Sequence, residues 1–362
     1  MITWSYFNPV KITARKGALD LLPELITNGC WLLVTTAGFT HRGLTKHIQN
    51  LLPNTELLIH DQVTPNPELD DLEQVIQKYR KQKIYGILAI GGGSVLDAAK
   101  ILAVTLPCEL PTPLITTLRQ GQEQNWSKKL FLVLVPTTSG TGAEVTPFAT
   151  VWDQSEHKKY SITGDNVFPD QVLLDPELTL TLPKQLTLYT GLDAVSHALE
   201  SLWNVNRSPV SICFAIQALK LAEKALPLVL KEPSDLIARK TMQEASVLAG
   251  MAISHTRTAI AHSISYPLTI HYGVPHGLAC SFTLPRLIQV YLIEQPHCAE
   301  KALLERMKRM LTDFNLDAHI ANYADEEQIL ALKKKMYHPE RAGNFICRIN
   351  NETLNEILVF SI

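Results

Sequence analysis

The apolar run Ile84 to Ile90 ends in Gly91-Gly92-Gly93-Ser94 and passes directly into Val95-Leu96-Asp97-Ala98-Ala99-Lys100, a segment of helical character. A buried strand that turns on glycine into a helix is half of a β-α-β unit, and chains built from such units close into a parallel sheet covered by helices. The N-terminal half keeps to this pattern. Trp31 to Thr35, Leu57 to His60, Leu132 to Val135 and Val172 to Leu174 read as strands, with helices at Leu69 to Lys81 and Val95 to Val104. From Leu186 onward the β-rich runs stop, and Ser208 to Leu230 and Ile237 to Ile253 carry apolar residues at helical spacing. The expected organisation is an α/β domain with a parallel sheet over residues 1–181 and an all-α domain over 182–362, divided near Pro183.

The glycine run does more than turn the chain. Without Cβ atoms its N–H groups can approach a diphosphate, and the following helix adds the positive end of its dipole. A second loop, Pro136-Thr137-Thr138-Ser139-Gly140-Thr141-Gly142, also follows a buried strand and offers hydroxyls and amides where ligands bind in such sheets. Either loop alone also serves as a plain turn; two at strand ends point to a nucleotide.

Charge and cysteine content narrow the partners. The 33 basic and 35 acidic residues leave a net charge of −2 with no block of like charge, which argues against nucleic acid. The longest uncharged stretch, Thr258 to Pro285, is broken by histidines and prolines and cannot span a membrane. Met1 to Phe7 lacks the basic-then-apolar pattern of a secretory signal, so a cytoplasmic address is expected. The six cysteines are scattered, with no Cys-x-x-Cys pair, and read as reduced small hydrophobes.

Gly191-Leu192-Asp193-Ala194-Val195-Ser196-His197 puts Asp193 and His197 four apart on one helical face, with Cβ atoms about 5–6 Å apart. One divalent ion can bridge them. His262 and His276 follow, separated by Pro267, Gly273 and Pro275, which are expected to end one helix and turn the chain so that the two histidines converge. One carboxylate and three imidazoles suit Fe(II), Zn(II), Co(II) or Ni(II), with room for a substrate oxygen. An Asp cap beside a core histidine gives the same spacing. The apolar setting favours the metal, because an unpaired Asp there is costly.

Pro65-Asn66-Pro67, Gly91-Gly92-Gly93-Ser94 with Asp97, Pro136 to Thr146, Gly191-Leu192-Asp193 with His197, His262, and Pro275-His276-Gly277 together resemble successive signatures of the iron-containing (group III) alcohol dehydrogenase family, across nearly the whole chain. The resemblance implies the fold shared with dehydroquinate synthase, with a dinucleotide-binding domain at 1–181 and a helical metal-binding domain at 182–362. It implies Fe(II), or Zn, Ni, Co or Mn, held by Asp193, His197, His262 and His276. It also implies contacts to NAD(P)H from Thr36, Asn66, Gly92, Gly93, Ser94, Asp97, Thr137, Thr138, Thr146 and Lys159. The implied chemistry is reduction of a small aldehyde to its alcohol, the metal polarising the carbonyl while C4 of the nicotinamide delivers hydride. No acid other than Asp193 is evidently placed as a general base, so water or a cofactor hydroxyl is expected to relay the proton.

Three departures from the family pattern bear on specificity. Thr36 stands after the first strand where relatives that prefer NAD carry Asp, with Arg42 nearby, so NADP is expected to be tolerated or preferred. Arg257, five residues before His262, brings a fork of donors suited to phosphonate or carboxylate, unless it is a solvated surface cation. Tyr266 replaces a second histidine and is expected either to contact the nicotinamide or to pack as an ordinary aromatic. With Asn8 to Ile12, Val34 to Thr40 and the segment from Thr256 to Pro267, these features resemble the subgroup associated with phosphonate metabolism, which implies phosphonoacetaldehyde as substrate and 2-hydroxyethylphosphonate as product. A reductase of another small aldehyde or semialdehyde, and a metal-dependent lyase like dehydroquinate synthase, remain alternatives, as does a non-catalytic nucleotide sensor. The oligomer is left open, a homodimer included.

Overall fold

The structure is a computed structural model that describes residues 3–124, 126–156 and 158–362. The chain divides into two compact units, Phe7–Thr138 with Ala143–Thr179, and Leu180–Ile362 with Met1–Tyr6 and Ser139–Gly142.

The first unit holds a six-stranded parallel sheet of β1 (Lys11–Ala14), β2 (Gly29–Val34), β3 (Thr55–His60), β4 (Ile84–Gly91), β5 (Phe131–Pro136) and β8 (Gln171–Leu174). Its order is β1-β8-β5-β4-β2-β3. Central strands of such a sheet are covered on both faces and read as continuous apolar runs. Leu32, Leu33 and Val34 of β2 and Ile87, Leu88, Ala89 and Ile90 of β4 are accordingly wholly buried. After β2 the chain crosses to one side of the sheet, and after β4 to the other. The crevice beyond the carboxyl ends of β2 and β4 is thus the topological switch point, the usual ligand position in open α/β sheets. Helices α1 (Ala37–His41), α2 (Leu69–Tyr79) and α3 (Gly93–Thr105) leave from the ends of β2, β3 and β4.

Three strands escape the sequence reading. β1 is a short edge strand whose side chains are half-buried or exposed, and β6 (Phe148–Asp153) and β7 (Lys158–Thr163) form a separate antiparallel pair. These segments mix Lys, Ser, Thr and Asp with their apolar residues, so neither apolar continuity nor clean alternation marks them.

The second unit is helical. Its core helices are α4 (Lys184–Leu202), α5 (Pro209–Lys231), α6 (Leu236–Thr256) and α7 (Ile260–Tyr272), followed by the single turn α8 (His276–Ala279). Every residue of α4 from Gly191 to Leu202 is buried, so a polar group there must find its partner inside the protein. The segment with Pro267, Gly273 and Pro275 ends α7 before His276, as expected: the helix runs through Pro267 and stops at Gly273, whose φ of 65° is the left-handed C-cap. Among the described residues no helix is long and apolar enough to cross a membrane.

Candidate metal centre

Asp193 and His197 lie one turn apart on α4, His262 sits in the first turn of α7, and His276 opens α8. Asp193 Oδ1 is 3.6 Å from Nε2 of His197, 3.6 Å from Nε2 of His262 and 3.8 Å from Nε2 of His276. Ligands at about 2.0–2.1 Å from one ion lie about 3.3–3.4 Å apart along a tetrahedral edge, so the three Asp193–imidazole spacings need only a small contraction around a cation, although His197 is not in the group of donors that lie within 4.8 Å of one another. Asp193, His197 and His262 are buried, while the His276 side chain is 29% exposed and marks the open side of the cluster.

The electrostatics ask for a cation. Burial raises the Asp193 carboxyl, but the imidazoles of His197, His262 and His276 outweigh it and hold the group well below the usual carboxylate range. Burial lowers the His262 imidazolium, yet the Glu200 and Asp193 carboxylates reverse this and push it up to about 10. Positive charge between these carboxylates is therefore favoured, and a divalent ion supplies it in place of a proton. The residues fit a borderline metal.

Cys280, on the turn after α8, brings its thiol 3.5 Å from Asp193 Oδ1. Asp193, His262, His276 and Cys280 each offer a donor atom within 4.8 Å of the others. Burial, with the Asp193 charge, raises this thiol well above its ordinary value, so it acts as a neutral hydrogen-bond donor to Asp193. Tyr266 lies nearly parallel to His276, 9° between planes and 6.4 Å between centroids, and the Arg341 guanidinium sits 4.3 Å from the Tyr266 ring centroid.

Arg257 is the C-cap of α6 with φ 65° and ψ 171°, a backbone region that is otherwise almost confined to glycine. Its carbonyl accepts from Nδ2 of the buried Asn204 at 3.1 Å. The residue is exposed, and partial desolvation lowers its pKa.

In the first unit, the loops after β4 and β5 come together. Gly92 caps α3, and a Cβ built there would lie 3.2 Å from Thr138 Cγ2. Thr137 N donates to Gly91 O at 2.9 Å, and Asn66, with φ 58°, donates its N–H to Ser94 Oγ at 3.2 Å. Gly93 opens α3. Thr36 caps α1 at the end of β2, and the exposed Arg42 stacks on Phe39 at 4.6 Å. Asp97 accepts from Thr150 N at 3.0 Å. Thr146 is 1% exposed and turns its hydroxyl inward to Lys100 Nζ at 3.1 Å. Lys159 lies on β7, its Nζ 5.1 Å from the Trp152 ring centroid. Asn66, Gly92, Ser94, Thr137 and Thr138 are thus gathered at one end of the sheet, whereas Thr146 serves the interior.

Comparison with known proteins gives a consistent family. The sequence model of the iron-containing alcohol dehydrogenases matches residues 9–176, and that of the C-terminal part of the Fe-containing alcohol dehydrogenase family matches 187–345. The chain belongs to the iron-containing alcohol dehydrogenase family. It is 35% identical to a phosphonoacetaldehyde reductase of Streptomyces viridochromogenes, over 74% of this chain and 68% of that one. A 1-propanol dehydrogenase of Citrobacter freundii is 29% identical over 82% of this chain and 76% of the other. A crystal structure of sulfoacetaldehyde reductase from Bifidobacterium kashiwanohense in complex with NAD+ superposes with a TM-score of 0.89 at 28% identity, covering 99% of both chains. This iron-containing alcohol dehydrogenase is therefore an oxidoreductase acting on alcohols, a metal-dependent alcohol and aldehyde reductase.

Four residues of this alcohol dehydrogenase were not singled out by the sequence reading. Glu200 lies three positions after His197, but its partners are Ala259, Ala261 and His262, so no local pattern marks its role. Cys280, four residues after His276, has the sequence character of a small hydrophobe. Lys100, wholly buried, donates to the carbonyls of Ala143 at 2.7 Å and Phe148 at 2.5 Å, and nothing local marks it as interior. Arg341 is 75 positions from Tyr266, and only the fold pairs them.

Proposed function

We propose that this enzyme reduces a small anionic aldehyde, with phosphonoacetaldehyde going to 2-hydroxyethylphosphonate as the leading case, using NADH or NADPH and a divalent ion, Fe(II) in the first place. Asp193, His197, His262 and His276 hold the ion, the 182–362 part of the chain supplying all four. The observation that carries the reading is the convergence of three imidazole nitrogens on one carboxylate oxygen, at 3.6, 3.6 and 3.8 Å.

Held by these four residues, a divalent ion would supply Lewis-acid polarisation of the carbonyl, and a reduced nicotinamide would supply the hydride. The 1–181 part of the chain orients the nucleotide. Gly92, Gly93 and Ser94 present backbone amides and the N-terminus of α3 to the diphosphate, and Asn66, Thr137 and Thr138 border the same loops. Asp97 and Lys159 support this edge from α3 and β7, and Thr146 acts through Lys100. Tyr266 lies beside His276, its ring nearly parallel at 6.4 Å between centroids. Arg257 holds the anion of the substrate, so that the carbonyl arrives at the ion already oriented. Support for an anionic aldehyde comes from the relatives named for phosphonoacetaldehyde and sulfoacetaldehyde. Thr36 and Arg42, with no carboxylate at the end of β2, support acceptance of NADPH.

The test is loss of reduced-nicotinamide absorbance with phosphonoacetaldehyde, succinic semialdehyde and propionaldehyde, for the wild type and Arg257→Ala. Losing charge-assisted hydrogen bonds to the anion removes roughly 1.5–3 kcal/mol of binding. That is about a tenfold to hundredfold fall in kcat/KM for the anionic aldehydes. Propionaldehyde is expected to lose little. An equal loss for charged and neutral aldehydes assigns Arg257 to the fold, and preference of the wild type for propionaldehyde overturns the anionic substrate.

A further inference from the structure

Glu200 is wholly buried on α4, seven residues after Asp193. Its two carboxylate oxygens receive four hydrogen bonds. Oε2 accepts from Ala259 N at 2.9 Å and from His262 Nδ1 at 2.7 Å; Oε1 accepts from Ala261 N at 2.7 Å and from His262 N at 3.2 Å. Three of these donors are the backbone amides that open α7, a helix whose N-cap residue, Ala259, has no side chain able to cap it. Glu200 caps α7 from another helix.

The fourth donor is the consequential one. All four groups around Glu200 donate, so Nδ1 of His262 carries its proton toward the carboxylate, and the lone pair of the neutral ring lies on Nε2. Nε2 has no hydrogen-bond partner and faces Asp193 Oδ1 at 3.6 Å. We infer that Glu200 is the positioning residue that commits His262 to ligation. It holds the first turn of α7, sets the angle of the ring, and selects the tautomer whose bare nitrogen points at the Asp193 cluster. This rests on the reading of His262 as a ligand.

Glu200 therefore differs from a residue that merely fills space. Glutamine keeps the shape of the side chain but replaces one acceptor oxygen by an N–H₂ donor. Wherever that amide turns, it meets a donor. Either a backbone N–H of α7 loses its partner, or the His262 proton moves to Nε2 and covers the nitrogen that must bind.

The experiment is Co(II) titration of metal-depleted wild type and Glu200→Gln, followed through the visible ligand-field spectrum, with thermal unfolding of both metal-free proteins as a control for the fold. Co(II) affinity of the variant is expected to fall about 10- to 100-fold, the usual cost of losing the partner of a ligating histidine, and the spectrum to change. Equal affinity with an unchanged spectrum overturns the inference alone. Failure of the wild type itself to bind Co(II) overturns the ligand set and this inference with it. If Glu200→Gln does not fold, nitrogen-15 NMR of histidine-labelled, Zn(II)-loaded wild type decides: a proton on Nδ1 of His262 is expected, and a proton on Nε2 overturns the assignment.

Discussion

A Cβ built on Gly277 would lie 1.8 Å from the carbonyl oxygen of Tyr189, an approach that only glycine permits. Gly277 directly follows His276, and Tyr189 precedes Asp193 by one helical turn on α4. This close backbone contact sets the distance of α8, and with it His276, from the helix that carries Asp193 and His197. Gly277→Ala is expected to push the two apart, costing about 2–3 kcal/mol or more because backbone, not a side-chain tip, must move. Thermal unfolding should show the loss, and metal content of the purified variant should fall. A variant with wild-type melting temperature and full metal content would show that the spacing is not required.

Arg257 combines a strained backbone with a side chain proposed to hold the substrate anion. At φ 65° and ψ 171°, glycine relieves strain that alanine retains. Arg257→Gly and Arg257→Ala are therefore expected to lose the same efficiency with phosphonoacetaldehyde, while the glycine variant is the more stable by about 1 kcal/mol. Kinetics and thermal unfolding of the pair check this. Equal stability would mean that the turn relaxes when the side chain is lost.

The buried carboxyl of Glu144 gives a pH signature. Burial pushes it up to about 7 from an ordinary 4.5, against the opposing pull of its own backbone N–H and of Lys100, and its Oε1 has no hydrogen-bond partner. As pH rises from 4.5 to about 7 the unfolded chain gives up this proton while the folded protein keeps it. The stability contributed by the neutral acid is full below that window and gone above it. Glu144→Gln should therefore gain on the wild type as pH rises through the window. Melting temperatures of both proteins from pH 5 to 8 measure the gain; a constant difference would mean that Glu144 ionises normally.

Cofactor preference is tested at the end of β2. Thr36 caps α1 at the strand terminus, beside the switch point, where a carboxylate would repel a 2′-phosphate. Thr36→Asp should shift the NADPH-to-NADH ratio of kcat/KM toward NADH by about tenfold, the effect of roughly 1.4 kcal/mol. An unchanged ratio would place Thr36 away from the adenine ribose.

How much of this was readable in advance follows from where the information lies. β2, β4, β5 and β8 are apolar runs buried on both faces, and the Gly91-Gly92-Gly93-Ser94 turn carries its own conformational reason, so local sequence suffices for them. The end of α7 is legible from Gly273 and Pro275, while Pro267 stays inside the helix because α7 is buried from Ile260 to Ser265 and tertiary packing carries it past the proline. Asp193 and His197 are legible as an i,i+4 pair, and His262 and His276 as isolated imidazoles in apolar sequence. Glu200 is not legible in its role, because its partners are amides and a ring 59 to 62 positions away. A carboxylate in a helix looks the same on paper whether it faces water or four buried donors.

The central claim is that hydride transfer in this protein depends on a divalent ion held by Asp193, His197, His262 and His276. Metal-depleted protein incubated with NADPH and phosphonoacetaldehyde should leave the reduced-nicotinamide absorbance unchanged, and added Fe(II) should start its decline in the wild type but not in His262→Ala. Full turnover by the metal-depleted wild type, or restoration of His262→Ala by the same Fe(II) concentration, would contradict the account.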